Sequence, residues 1–143
     1  MHQETTTNSQ TVTDTMAMEF VDLDGATTPV EAEFSYDAAD PFAVSVLFKA
    51  DPAPVRWTFA RDLLIEGSYE PAGDGDIHVW PCLSADGSAV VIIELDSPDG
   101  EAMVQVNARD LTTFVTRMTT LVPLDTEADL IDFDTEITEL LAA

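Results

Sequence analysis

The sequence predicts an α+β fold, in which a curved, mainly antiparallel β-sheet carries a short mid-chain helix and C-terminal helices. Alternating apolar and polar residues recur in short segments. These segments are joined by short turns rich in Gly, Pro and Asp, and the apolar residues after residue 107 change to helical spacing. Because parallel strands need long crossover connections, short turns favour antiparallel pairing.

Seven or so segments have the character of strands. The first runs from Thr11 to Val21, and the segment "VEAEFSYD" shows the cleanest alternation. The others are "FAVSVLFK", "VRWTF", "IHVWPCL", "AVVIIELD" and "EAMVQVN". Since "AVVIIELD" is almost entirely apolar, we expect it to be a central strand that is buried on both faces.

The stretch "RWTFARDLLIEG", residues 56 to 67, combines the end of a strand with a helix. Alternation places Trp57 in the core and Arg56 on the outer face. The spacing then becomes helical, and Gly67 is a suitable C-terminal stop. Arg61 lies at the joint, where we expect neighbouring carbonyls or carboxylates to pair with it.

Two helices are predicted near the C-terminus. In the first, Asn107 is the expected cap and Pro123 the expected end, and its apolar stripe consists of Leu111, Phe114, Val115, Met118, Leu121 and Val122. The last helix has an apolar face made of Ile137, Leu140 and Leu141.

The composition indicates one domain with a core of its own. The chain has 143 residues, of which 45% are hydrophobic. We expect a disordered N-terminal tail over residues 1–10 and a single domain over 11–143, without a repeat of fixed period. The single cysteine and the lack of a signal peptide or transmembrane run favour a cytoplasmic protein that does not insert into membranes.

The charge and the motifs narrow the function. A net charge of -23 argues against binding to nucleic acid, which depends on Lys and Arg. His78 and Cys82 lie too far apart on a strand to act together, so Cys82 is interpreted as a buried, inert thiol. The segment "GDGD", residues 73 to 76, is a turn rather than a calcium loop. We therefore predict no catalytic, cofactor-binding or metal-binding residues, no cofactor and no enzyme activity.

Three residues are candidates for protein interaction: Arg56, Arg61 and Asp62. Arg56, on the outer face, is available to a partner, and Arg is enriched at interfaces. Arg61 is expected to act mainly through the stability of the corner. Two alternatives stay open beside a binding protein of this kind: a regulator that binds single-stranded nucleic acid, and an enzyme acting on a small ligand.

Several segments, in order, resemble the SsgA-like sporulation and cell division proteins, and most closely their SsgB type. They are "YDAADPFAVSVLF", "VRWTFARDLLIEG", "PAGDGDIHVWP", "ELDSPDGEA" and the ending "DLTTFVTRMTTLVPLDTEADLIDFDTEITELL". The block W-x-F-A-R-D-L-L-x-x-G is the most specific.

The resemblance implies a fold similar to the whirly single-stranded nucleic-acid-binding proteins and a homotrimer. It also implies a non-catalytic role in sporulation-specific septation. The protein would act at division septa by helping to recruit or position FtsZ together with SsgA-like division proteins.

Overall fold

The computed structural model describes residues 10–98 and 100–128, which form eight strands and two helices. The predicted last helix, with Ile137, Leu140 and Leu141, lies outside these residues, as does nearly all of the predicted tail. The strands are β1 (Thr11–Val21), β2 (Thr27–Asp37), β3 (Ala43–Phe48), β4 (Val55–Ala60), β5 (Ala72–Asp74), β6 (Ile77–Leu83), β7 (Ala89–Ser97) and β8 (Gly100–Asn107). Helix α1 (Arg61–Gly67) follows β4, and helix α2 (Ala108–Leu121) follows β8.

All eight strands belong to one curled antiparallel sheet in the order β4-β3-β2-β1-β8-β7-β6-β5. The predicted α+β architecture is therefore confirmed. Two four-stranded meanders meet where β1 pairs with β8, and each meander is followed by a helix. The chain thus runs twice through the same order of elements. This order leaves no fixed period in the sequence, because α1 has 7 residues and α2 has 14.

The core lies on one face of the sheet, and the alternating residues point into it as predicted. In β2 the buried residues are Val30, Ala32, Phe34 and Tyr36. The interior strand β7 buries four consecutive residues, 90 to 93, which confirms the prediction from its apolar sequence. Helix α2 covers this core face, and the Phe114 ring packs against Phe34 with 5.5 Å between centroids.

Both ends of α2 follow the sequence signals. The Asn107 side chain accepts hydrogen bonds from the backbone N–H groups of Arg109, at 2.8 Å, and Asp110, at 3.2 Å. These bonds satisfy two donors that the helix itself leaves unpaired. The helix ends at Leu121, just before Pro123, so the predicted cap and end are confirmed.

Gly67 has a different role from the predicted helix stop. It lies inside α1, and the following residue, Ser68, caps the helix with right-handed backbone angles. A Cβ atom at Gly67 would lie only 2.3 Å from Cγ1 of Val79. The position therefore favours glycine because helix and strand approach closely there, and not because the chain needs a left-handed turn.

None of the helices that the structure describes is long and apolar enough to cross a membrane.

Candidate protein-interaction site

The segment in which β4 runs into α1, residues 55–67, is called the corner below. It carries the three charged residues that the sequence singled out. Arg56 is exposed, as predicted, and Trp57 packs against the core while remaining half-buried. Trp57 lies less deeply than alternation alone suggests because β4 is the last strand at its end of the sheet, so its side chain is covered from one side only.

Arg61 is fully buried, and three groups from the segment after α2 surround it. Its Nη1 donates to the carbonyl of Val122 at 2.8 Å, and its Nη2 donates to that of Pro123 at 3.3 Å. Nη2 also lies 2.8 Å from Oε2 of Glu127 in an ion pair. The guanidinium sits over the Tyr36 ring, 5.3 Å from its centroid. The expected pairing with carbonyls and a carboxylate is thus confirmed, and the carboxylate is Glu127.

Asp62 lies on the surface in the first turn of α1. Its carboxylate forms no ion pair or hydrogen bond with the residues that the structure describes. The β4–α1 segment therefore carries two exposed charges, Arg56 near the start of β4 and Asp62 in the first turn of α1, and a buried, paired Arg61 between them in sequence. The side chains of Arg56 and Asp62 are open to solvent, whereas that of Arg61 is not. Their role in protein interaction stays a prediction.

Burial and charge together shift the pKa values of two groups at this corner. Burial raises the pKa of the Tyr36 hydroxyl, and the nearby Arg61 opposes that shift only in part. The same hydroxyl donates a hydrogen bond to the carbonyl of Pro41 at 2.8 Å. For Glu127, burial acts to raise the pKa, but backbone hydrogen bonds and Arg61 outweigh it and hold the pKa below its usual value of 4.5.

The lowered pKa of Glu127 predicts an acid-sensitive contribution to stability. Because the folded pKa lies below the unfolded one, the contribution is complete above about pH 4.5 and is lost as the pH falls through the folded value. We expect the wild type to melt above Glu127→Gln at pH 7, and this difference to narrow below pH 4.5. Melting both proteins across pH 3 to 7 measures it, and a difference that does not change with pH would contradict the assignment.

The five basic side chains of the chain differ in whether a carboxylate pairs with them. The chain has five Lys and Arg residues against 28 Asp and Glu residues. Lys49 pairs with Glu31 at 3.3 Å, and Arg117 pairs with Asp14. Arg56 and Arg109 are both exposed, and neither forms an ion pair within residues 10–98 and 100–128. An acidic chain thus leaves the charge of Arg56 available on the surface of the corner.

The other chemical candidates separate in the fold. His78 and Cys82 both lie exposed on β6, so the interpretation of Cys82 as a buried thiol was wrong. The two side chains lie on the same face of β6, as alternation predicts, but that face points away from the core. Of the "GDGD" segment, Gly75 and Asp76 form the predicted turn into β6, whereas Gly73 and Asp74 belong to β5, a short strand that the sequence analysis did not predict.

Sequence reasoning missed a group of three carboxylates, Glu94, Asp96 and Glu101, whose oxygens lie within 4.8 Å of one another. Asp96 and Glu101 face each other across the β7–β8 hairpin, and an oxygen of Asp96 is buried without a hydrogen-bond partner among the described residues. The sequence signal that could have found the group was the spacing of these carboxylates in two strands joined by "SPDG", which a hairpin brings together. Acidic groups this close are common on so negative a surface, and we assign no metal to them.

Comparison with known proteins identifies a family whose matched residues include this corner. The family described as "Streptomyces sporulation and cell division protein, SsgA" matches residues 30–127. The chain is 46% identical to the sporulation-specific cell division protein SsgB of Streptomyces coelicolor over 115 residues, which are 80% of this chain and 83% of that protein. It is 40% identical to SsgB of Frankia casuarinae over 138 residues, 95% of each chain.

Solved structures agree with these sequence matches. The structure of an SsgA-like sporulation-specific cell division protein from Thermobifida fusca superimposes with a TM-score of 0.81 at 34% identity, covering 97% of this chain and 98% of that one. An SsgB structure, from work correlating SsgB mutations with longitudinal cell division in sporulating Streptomyces coelicolor, gives 0.79 at 42% identity, covering 84% and 94%. The chain belongs to the SsgA family of sporulation and cell division proteins.

Proposed function

We propose that this protein is a non-catalytic adaptor that helps to recruit or position FtsZ at the septa of sporulating cells. Family membership supports the general role in sporulation-specific division. The finer role comes from the resemblance of the residue block around the β4–α1 corner to SsgB-type proteins. The observation that carries the proposal is Arg56, directly before the W-x-F-A-R-D-L-L-x-x-G block, which is exposed and has no ion pair among the described residues of a chain with a net charge of -23.

The corner suits a contact surface because its buried and its exposed charges have different roles. Arg61 ties the start of α1 to the carbonyls of Val122 and Pro123 and to Glu127, and so fixes the backbone beneath the surface. Arg56 lies on the strand before this anchor and Asp62 on the helix that it starts, so both stand on regular secondary structure and not on a loop. A side chain held in this way loses less conformational freedom when a partner binds.

Arg56 also supplies a positive charge that is scarce on this surface, since the chain has five Lys and Arg residues against 28 Asp and Glu residues. A chain this acidic repels other acidic proteins at long range. An unpaired guanidinium attracts a carboxylate on the partner locally and selects the orientation of docking. We therefore propose that Arg56 and Asp62 contact FtsZ and that Arg61 supports them. The assembled unit is proposed to be a homotrimer in the cytoplasm, which works with other SsgA-like proteins and uses no cofactor.

The alternative of binding single-stranded nucleic acid finds no support. The matched relatives are named as cell division proteins. Trp57, the aromatic residue beside Arg56, is partly buried and packs against the core, whereas stacking on a base needs an exposed ring.

The test replaces Arg56 with Ala and follows binding to polymerising FtsZ. We expect association to slow by about three- to tenfold at low salt, and the effect to shrink at high salt, because an exposed charge acts mainly on the encounter rate. Co-sedimentation and binding kinetics at two salt concentrations measure this.

Light scattering on the same samples is expected to give about three chains per particle.

The matched control is Arg109→Ala, which removes another exposed arginine, at the start of α2, that likewise has no ion pair among the described residues. If both substitutions slow binding equally, net charge and not the corner governs association. If the wild type does not bind FtsZ at all, the proposed function is wrong. A single-stranded oligonucleotide added as competitor should leave FtsZ binding unchanged, and strong competition would favour the nucleic-acid alternative.

A further inference from the structure

Strand β4 forms one edge of the sheet, and the register shows which of its backbone groups point outward. β4 pairs with β3 only, among the strands that the structure describes, with Trp57 opposite Val46. The ladder continues where the N–H of Arg61 donates to the carbonyl of Phe42 at 2.8 Å. In an antiparallel ladder, hydrogen-bonded pairs alternate with pairs that are not hydrogen-bonded. Residues 55, 57, 59 and 61 therefore turn their backbone groups toward β3.

The pairing on the far side of β3 gives the same alternation. The N–H of Lys49 donates to the carbonyl of Glu31 at 2.9 Å, so residues 45 and 47 turn toward β2 while 44, 46 and 48 turn toward β4. By elimination, the N–H and C=O groups of Arg56 and Thr58 and the N–H of Ala60 point away from the sheet. All three residues are exposed.

The opposite edge of the sheet is less suited to pairing with an added strand. It is formed by β5, which has three residues, whereas β4 has six. A short edge strand offers few groups for pairing, and this is one way in which proteins prevent unwanted association. The longer edge at β4 is the one that offers a continuous row of donors and acceptors.

The side chains of β4 give this edge two different faces. On the core side, Val55 is 46% exposed and Trp57 is half-buried, so an apolar surface continues to the edge. On the opposite side stand Thr58 and Arg56, and Arg56 has no ion pair in the part of the chain that the structure describes. An uncompensated charge on an edge strand opposes pairing with another strand, but a carboxylate directly across from it turns that repulsion into attraction.

We propose that the free edge of β4 binds an extended peptide segment of the partner as an added strand, in which apolar side chains alternate with carboxylates. The apolar side chains pack on Val55 and Trp57, the carboxylates pair with Arg56, and main-chain hydrogen bonds form to Arg56, Thr58 and Ala60. Strand addition to an exposed edge is a recurring mode of peptide recognition. Where the partner is FtsZ, this inference rests on the proposed function and names how that contact is made.

Thr58→Pro tests the edge without breaking the sheet. Proline removes the N–H of residue 58, which the β3 ladder does not use, and edge strands tolerate proline at such positions. The control Thr58→Val keeps the N–H and removes only the hydroxyl, which bonds to Ser45 at 2.9 Å. The probes are two synthetic hexapeptides, one alternating Val and Glu and one alternating Val and Lys, followed by fluorescence anisotropy.

We expect the Val–Glu peptide to bind the wild type and Thr58→Val within about twofold of each other, and Thr58→Pro about tenfold more weakly or worse. The Val–Lys peptide should bind poorly. Arg56→Glu should reverse the preference between the two peptides, and this variant keeps the proposal testable if Thr58→Pro fails to melt cooperatively.

Three results would overturn the inference. The first is Val–Glu binding that is absent from the wild type, and the second is equal binding by a folded Thr58→Pro. The third is a fall in particle mass for Thr58→Pro in light scattering, which would show that the edge joins copies of this chain. FtsZ co-sedimentation of the same variants separates the two proposals. If the wild type and Thr58→Pro bind FtsZ equally, the adaptor function stands and the strand addition is wrong. If the wild type binds the Val–Glu peptide but not FtsZ, the strand addition stands and the adaptor function is wrong.

Discussion

Arg61→Met is expected to lower the free energy of unfolding by about 3–5 kcal/mol, the usual cost of removing one partner from a buried ion pair. The side chain of Arg61 has 0% exposure and that of Glu127 has 8%. The substitution leaves the Glu127 carboxylate buried without its counter-charge. It also leaves the carbonyls of Val122 and Pro123 without their donor. Denaturant unfolding followed by circular dichroism measures the change.

The double variant Arg61→Met with Glu127→Gln shows the origin of this cost. If the unpaired carboxylate is the main penalty, the double variant should be more stable than Arg61→Met alone. Arg56→Met provides the matched control, because it removes the same charge from an exposed position of the same corner and should change stability by no more than about 0.5 kcal/mol. Similar losses for Arg56→Met and Arg61→Met would show that the buried pair contributes little.

Phe114→Ala is expected to cost about 3–5 kcal/mol, because it opens a cavity between α2 and the sheet. The Phe114 side chain is fully buried, and its ring centroid lies 5.5 Å from that of Phe34 on β2. The residue therefore joins the helix that follows the second meander to a strand of the first. We expect a lower melting temperature and a lower denaturant midpoint.

Thr112→Ala is the control for Phe114→Ala, since it changes an exposed residue of the same helix to one with a higher helix propensity. It should leave stability nearly unchanged or raise it slightly. If Phe114→Ala melts close to the wild type, α2 is not held by this contact and the core must lie elsewhere.

The sequence by itself determined the features that depend on local pattern. Alternation identified the buried residues of β2, and the unbroken apolar run identified β7 as an interior strand. The change to helical spacing located α1 and α2, and Asn107 capped α2 as its side chain predicts. These features follow from strand and helix periods of about 2 and 3.6 residues and from backbone groups within one turn of the cap.

Only the tertiary structure decided the features that join distant parts of the chain. Glu127 was not recognisable as the partner of Arg61, since 66 residues separate them. The group of Glu94, Asp96 and Glu101 required the register of a hairpin, and the free edge of β4 required the order of the whole sheet. Gly67 likewise owes its identity to Val79, a neighbour on another element. Contacts of this kind depend on how elements pack, and no periodicity along a single segment encodes them.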